Sequence, residues 1–175
     1  MNKKTDRMKK YIFALALVFI VNGCQSKKDT EYLSEAESLI KQQKIEDAVK
    51  TFEEMIAEYP ESPLAPKAVL ELAKIYQAGM IKNMPKDESL QMSLSYFKLI
   101  NEKYPKSTEA PVALFMTGFI EANELQNFDA ARKSYEQFMK LYPGHELAVS
   151  VEGELSTLGM TPDQILRQKD RIGKK

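Results

Sequence analysis

The chain has 175 residues, 43% of them hydrophobic, and its 25 basic residues balance its 25 acidic residues to a formal net charge of zero. Residues 1–23 hold five basic residues and one acidic residue, so the remainder has 20 basic and 24 acidic residues, a net charge of −4. Phosphate binding needs concentrated Lys and Arg, so this balance argues against nucleic acid as a partner.

The first 23 residues are typical of a secretory leader. Five basic residues between positions 3 and 10 precede an unbroken apolar run of 11 residues, Tyr11–Val21. Such a run is too short to span a bilayer, which takes about 20 residues, but it suits the apolar region of a signal peptide. We therefore predict a signal peptide over residues 1–23, which Met8 could open as well as Met1.

The leader ends in Val21-Asn22-Gly23-Cys24, which resembles the lipobox of bacterial lipoproteins. In that family the cysteine is lipidated and becomes the first residue after cleavage, so the resemblance implies lipidation of Cys24 and a membrane partner. Cys24 is the only cysteine of the chain, which excludes an intramolecular disulfide and a cysteine metal cluster. The alternative is an exposed thiol, which is prone to oxidation. Gln25 follows the cysteine, and in lipoproteins of enterobacterial type this implies passage to the outer membrane.

The apolar spacing predicts the order of elements after the leader. A polar tether over residues 24–30 precedes a helical domain over residues 31–171, and residues 172–175 form a tail. The predicted helices include 31–43, 45–58, 63–78, 108–124 and 146–157, the last of them a capping helix. Thr161–Gln164 is typical of a capping box and is predicted to open a final helix to about residue 169.

A sequence motif of the form Y-P-x-S-x-x-A-P, which we call the Tyr-Pro motif, divides this domain into repeats. It occurs at Tyr59–Pro66 and Tyr104–Pro111, and a weaker copy begins at Tyr142. Because Pro lacks an N–H and clashes with the preceding turn, each Tyr-Pro step ends a helix. Ser62 is predicted to cap the next helix, with Pro63 at its first position. Each repeat is therefore predicted to be a pair of antiparallel helices, A and then B.

The insertion at residues 79–89 lengthens the turn between the helices of repeat 2. Pro85 excludes a continuous helix there. Loops often carry function, so we predict either a functional loop or an extended loop without a partner.

The B helices resemble those of the tetratricopeptide repeat, in which a small residue is followed by an aromatic four later and a Pro eight after that. Three triplets keep this spacing: Ala48, Phe52 and Pro60; Ser93, Phe97 and Pro105; Ala131, Tyr135 and Pro143. The resemblance implies an all-α helix-pair solenoid of about three repeats plus a C-terminal capping helix, with the three aromatic residues buried. Gly118 stands at the small position of the third A helix, where we favour close helix packing as its role.

No arrangement of residues points to catalysis, and no cofactor, metal ion or small-molecule substrate is predicted. His145 is the only histidine, and a nucleophile–base pair would have to be built around it. It occupies the Ser position of the third Tyr-Pro copy, where capping explains it. We therefore predict that the protein is not an enzyme.

The Tyr-Pro motif is also similar to that of the BamD (YfiO) lipoprotein family of outer-membrane barrel assembly. This resemblance implies a scaffold on the periplasmic face of the outer membrane that binds protein or peptide partners in the cell envelope. The alternative is an adaptor of the YbgF type, associated with Tol-Pal, cell division or peptidoglycan. In the tetratricopeptide family, partners bind A-helix positions just after the small residue, which are here Glu37, Lys41, Lys74, Gln77, Phe119 and Asn123. Phe119 is predicted either to bind a partner or to pack against the last helix.

Overall fold

A computed structural model of the protein describes residues 27–172, with side chains as far as Arg167. The predicted signal peptide, residues 24–26 of the predicted tether and residues 173–175 of the predicted tail lie outside the described residues.

Eight helices and no strand make up the regular structure of residues 27–172, which confirms the all-α prediction. They are α1 Asp29–Lys41, α2 Ile45–Glu58, α3 Ala65–Gln77, α4 Lys86–Lys103, α5 Ala110–Asn123, α6 Phe128–Leu141, α7 Ala148–Thr157 and α8 Pro162–Ile172. Helices α1, α3 and α5 are the A helices of the three repeats, and α2, α4 and α6 are the B helices. Helix α1 begins two residues before its predicted start, and Asp29 and Glu31 in its first turn suit the positive end of the helix dipole.

The three Tyr-Pro turns share one backbone pattern. In the first turn the N–H of Ser62 donates to the carbonyl of Tyr59 (3.1 Å), and the N–H of Ala65 donates to the carbonyl of Ser62 (3.0 Å). The same two bonds recur in the turns that begin at Tyr104 and Tyr142. Each turn therefore consists of two successive reverse turns, which delays the start of the next helix.

This pattern corrects the predicted start of the A helices. The prediction that Ser62 caps α3 and that Pro63 is its first residue is wrong, since α3 begins at Ala65 and Pro66 stands in its first turn. The hydroxyl of Ser62 instead accepts the N–H of Leu64 within the turn (3.0 Å).

The insertion in repeat 2 is shorter than predicted. Helix α4 begins directly after Pro85, so residues 86–89 are helical. Within that segment the buried hydroxyl of Ser89 donates to the carbonyl of Tyr76 on α3, which ties the start of α4 to the preceding helix. In the remaining loop Ile81 and Met84 pack against the first hydrophobic cluster, so this loop covers part of the core.

Three hydrophobic clusters run along the solenoid, and each joins an A helix, its B helix and the following A helix. Helix α7 takes the place of the following A helix in the third cluster, in agreement with its predicted capping role. Representative members are Leu33, Phe52 and Leu72 in the first cluster, Val69, Phe97 and Ile120 in the second, and Leu114, Tyr135 and Val151 in the third. Each repeat thus depends on its neighbour to bury its apolar face.

The aromatic residues of the repeat pattern are confirmed as core. Phe52, Phe97 and Tyr135 have no exposed surface. Gly118 allows the third A helix to approach the third B helix, because a Cβ at that position would lie 2.6 Å from Cε1 of Tyr135. The favoured role of Gly118, close helix packing, is therefore confirmed.

The end of the domain contains a glycine turn and the predicted capping box. Gly159, after α7, has φ +78°, which a residue with a Cβ rarely adopts. The N–H of Thr161 donates to Oε1 of Gln164 (2.8 Å), and the N–H of Gln164 donates to Oγ1 of Thr161 (3.4 Å). This reciprocal pair is the predicted capping box at the start of α8.

Candidate partner-binding surface

The six predicted partner-binding residues lie on the three A helices. We call them the A-helix surface: Glu37 and Lys41 on α1, Lys74 and Gln77 on α3, and Phe119 and Asn123 on α5. All six retain exposed surface, as a binding role requires.

Glu37 connects the first two A helices. Its carboxylate accepts a hydrogen bond from Nζ of Lys67 on α3 at 2.8 Å, and this hydrogen bond raises the pKa of the Lys67 ammonium. Both side chains remain well exposed, and an ion pair between exposed groups is worth about 1 kcal/mol or less. A charged partner could therefore displace the Glu37–Lys67 ion pair at little cost in free energy. Lys41, one turn after Glu37 on the same helix, is exposed.

The middle of the A-helix surface is polar. Nζ of Lys74 lies 2.7 Å from Oε1 of Glu71, one turn earlier on the same helix, and Gln77 is half-buried. Lys74 is exposed, so this position of the second A helix lies outside the core.

Phe119 gives the surface its aromatic side chain. It is half-buried, and its ring centroid lies 6.2 Å from that of Phe115 on the same helix. Phe115 in turn packs against Tyr135 in the third cluster, also at 6.2 Å. Asn123 donates from Nδ2 to the carbonyl of Phe119 (3.1 Å). Phe119 thus packs against Phe115, which itself packs on the third cluster, and Phe119 keeps part of its surface accessible.

A row of tyrosine hydrogen bonds, which was not predicted from the sequence, runs along the edge formed by the Tyr-Pro turns. The hydroxyl of Tyr104 donates to the carbonyl of Pro60 (2.9 Å), and that of Tyr142 donates to the carbonyl of Pro105 (3.3 Å). Tyr59 makes the corresponding bond to the carbonyl of Lys27 (2.8 Å). The repeated Tyr was the signal for this row, but we interpreted it only as the end of a helix.

A groove of about 500 Å³ lies on the same edge, between the first and second turns. We call it the turn groove. Its lining combines proline rings with two acidic and two basic side chains: Glu61, Ser62, Pro63 and Pro66 from the first turn, and Lys103 to Glu109 from the second. The hydroxyl oxygen of Ser107 is buried there without a hydrogen-bond partner within the described structure.

His145 is a turn residue rather than a candidate catalyst. Its Nδ1 accepts the N–H of Leu147 (3.2 Å), as Oγ of Ser62 accepts the N–H of Leu64 in the first turn. Its ring meets Phe138 edge-on at 5.9 Å. The sole histidine therefore takes the place of the serine of the Tyr-Pro motif as acceptor of this backbone N–H.

The buried carboxylate of Glu121 also has a structural role. The residue is only 5% exposed, and its oxygens accept hydrogen bonds from Nζ of Lys98 (3.0 Å) and Oγ of Ser134 (2.8 Å). These bonds connect α4, α5 and α6. Among residues 27–172, no group of three or more His, Cys, Asp or Glu side chains is arranged to hold a metal ion.

Comparison with known proteins gives one family. A family model named YfiO and described as an outer membrane lipoprotein matches residues 25–143, which is more than half of the chain and includes all three Tyr-Pro steps. No curated protein matches the chain. Of the helices that the structure describes, none is long and apolar enough to cross a membrane.

Proposed function

Because the chain belongs to the YfiO family of outer membrane lipoproteins, we propose that it is a non-catalytic scaffold anchored by lipid on Cys24. It binds protein or peptide partners on the periplasmic side through the A-helix surface. A role in outer-membrane protein assembly suits this family better than the alternative adaptor role of the YbgF type. The repeats are of the tetratricopeptide kind, whose A helices bind partners in other proteins.

The observation that carries this proposal is the position of Phe119. An aromatic ring that is half-buried against Phe115 and followed one turn later by the exposed Asn123 combines apolar area with a fixed geometry. Binding energy at protein interfaces concentrates in such side chains. The other two A helices contribute charged residues to the A-helix surface, Lys74 on α3 and Glu37 on α1.

Replacement of Phe119 by Ser tests the partner-binding surface. We expect partner affinity to fall by about 1 kcal/mol or more, which is roughly fivefold or more in Kd, with little change in melting temperature. The measurement is quantitative co-purification from envelope extracts, with thermal unfolding of the same variants.

The matched control is Phe128→Ser, which removes an exposed aromatic residue at the start of α6, outside the A-helix surface. Proteins that are lost with Phe119→Ser but kept with Phe128→Ser support the site. A large drop in melting temperature for Phe119→Ser would assign that residue to the core and remove it from the site.

Replacement of Cys24 by Ser tests the anchor. One acyl chain gives only marginal membrane binding, whereas two or more anchor a protein stably. The Cys24→Ser protein should therefore appear in the soluble periplasmic fraction or remain uncleaved in the membrane. If the mature variant fractionates with the outer membrane as the wild type does, the anchor lies elsewhere.

A further inference from the structure

The first described residues are held firmly against the solenoid. The carbonyl of Lys27 accepts the hydroxyl of Tyr59 (2.8 Å), and its ammonium pairs with Glu35 and lies 4.2 Å above the ring centroid of Tyr32. The hydroxyl of Tyr32 donates to Glu58 on α2 (2.9 Å). Lys27 thus contacts α1 and Tyr59, the residue that directly follows α2.

A second contact fixes the start of α1 to the first turn. Oγ of Ser62 donates to Oδ2 of Asp29 at 2.6 Å, while it accepts the N–H of Leu64. The segment at residues 27–29 is therefore fastened at each end, by Tyr59 and by Ser62.

Lys27 also occupies a defined position in the repeat pattern. Tyr104 and Tyr142 each donate to a proline carbonyl of the preceding Tyr-Pro turn, and Tyr59 donates to the carbonyl of Lys27. The segment at Lys27 thus takes the place of the preceding turn for the first repeat. The row of tyrosine bonds begins where the chain leaves the domain toward Cys24.

Covalent geometry limits the distance from this point to the proposed anchor. Three residue steps separate Cys24 from Lys27, and they span at most about 11 Å even when fully extended. With Lys27 fixed and Cys24 at the membrane surface, little slack remains between the two.

We propose that this segment is a rigid mount that holds the first repeat against the lipid headgroup layer. The first Tyr-Pro turn then lies nearest to the membrane, and the second and third turns lie successively farther away. The ligand of this end of the solenoid is the lipid surface itself. The inference rests on the proposed lipidation of Cys24.

Three matched positions measure this orientation. Glu61, Lys106 and Gly144 each follow the proline of one turn, and all three are exposed. Each is changed to Cys in the full-length lipidated protein, labelled with a fluorophore, and reconstituted into vesicles of phosphatidylethanolamine and phosphatidylglycerol with a headgroup quencher. We expect quenching to be strongest at position 61, weaker at 106 and weakest at 144.

The variant Tyr59→Phe tests the mount itself, and Tyr104→Phe is its control because it removes the corresponding bond one repeat later. In some molecules residues 27–29 are bound to the first repeat, and in others they are detached. Loss of one hydrogen bond should lower the ratio of bound to detached molecules by about 2- to 12-fold. Quenching at position 61 should therefore fall in Tyr59→Phe, fall further when Ser62→Ala also removes the bond to Asp29, and persist in Tyr104→Phe.

Each outcome separates the mount from the anchor. Equal quenching at the three positions on vesicle-bound protein overturns the mount and leaves the lipid anchor standing. An unequal pattern that survives Tyr59→Phe combined with Ser62→Ala shows that the contacts of residues 27–29 do not orient the first repeat, which also overturns the mount. Protein that fails to bind the vesicles overturns the anchor and, with it, the inference.

Discussion

Replacing Gly118 by Ala should destabilise the protein, although a Gly-to-Ala change inside a helix ordinarily stabilises by about 0.5–1 kcal/mol. The new Cβ would lie 2.6 Å from Cε1 and 2.7 Å from Cδ1 of Tyr135. Because that ring is fully buried, it cannot turn out into solvent. Overpacking of a filled core costs about 1–3 kcal/mol, and such short distances favour the upper part of that range. We expect a net loss of about 1–2 kcal/mol in the free energy of unfolding.

The chain provides its own control in Gly153, which lies inside α7 with open space around the position of a Cβ. Gly153→Ala should stabilise by about 0.5–1 kcal/mol, so the two variants should shift the melting temperature in opposite directions. Each kcal/mol corresponds to roughly 2–4 °C in a domain of this size. The assay is thermal unfolding followed by circular dichroism on protein without the leader.

A second substitution identifies the clash as the cause. Tyr135→Leu removes the ring atoms that face Gly118, so Gly118→Ala should cost less in that background than in the wild type. If Gly118→Ala raises the melting temperature as Gly153→Ala does, then α5 and α6 do not approach each other as closely as described, and the reasoning fails.

Three further predictions concern the core and its polar contacts. Phe97→Ala should lower the free energy of unfolding by roughly 3–5 kcal/mol, and an unchanged melting temperature would contradict the repeat packing. Lys98→Met leaves the buried Glu121 with one partner fewer and should cost about 1–3 kcal/mol in chemical denaturation, whereas Lys86→Met, which breaks a more exposed ion pair, should cost about 1 kcal/mol or less. The hydrogen bond of Tyr32 to a glutamate carboxylate, together with its burial, raises the pKa of that phenol from 10.0 to about 12. The unfolded chain therefore loses this proton at a lower pH than the folded protein does. The free energy of unfolding should fall as the pH rises from about 10 to about 12. In Tyr32→Phe it should fall less over that range than in the wild type, and an equal fall would contradict the reasoning.

Local sequence patterns predicted much of the fold. The spacing of Phe52, Phe97 and Tyr135 is a property of single helices and their neighbours, and all three are fully buried. The role of Gly118 was predictable as well, because a residue without a side chain at a helix crossing lets the two backbones approach closely. Helix starts were less predictable, because two successive reverse turns after Tyr59 depend on backbone bonds that residue type alone does not specify.

The positions of the residues of the A-helix surface were predictable from the sequence, but their contacts were not. Counting along the A helices selected residues that retain exposed surface, but it could not show that Glu37 already pairs with Lys67, 30 residues away. The tyrosine row was missed for a similar reason. Tyr104 donates to a carbonyl 44 residues earlier, and a backbone acceptor leaves no mark in the sequence.

The same row has an evolutionary consequence. Each bond joins a tyrosine hydroxyl in one repeat to a main-chain carbonyl in the preceding segment, and Lys27 serves as acceptor as well as Pro60 does. A duplicated repeat would bring its own donor and its own acceptor, so this hydrogen bond would require no matching substitution in the neighbouring repeats. A change in the number of repeats would therefore leave this hydrogen bond available at every junction between successive repeats.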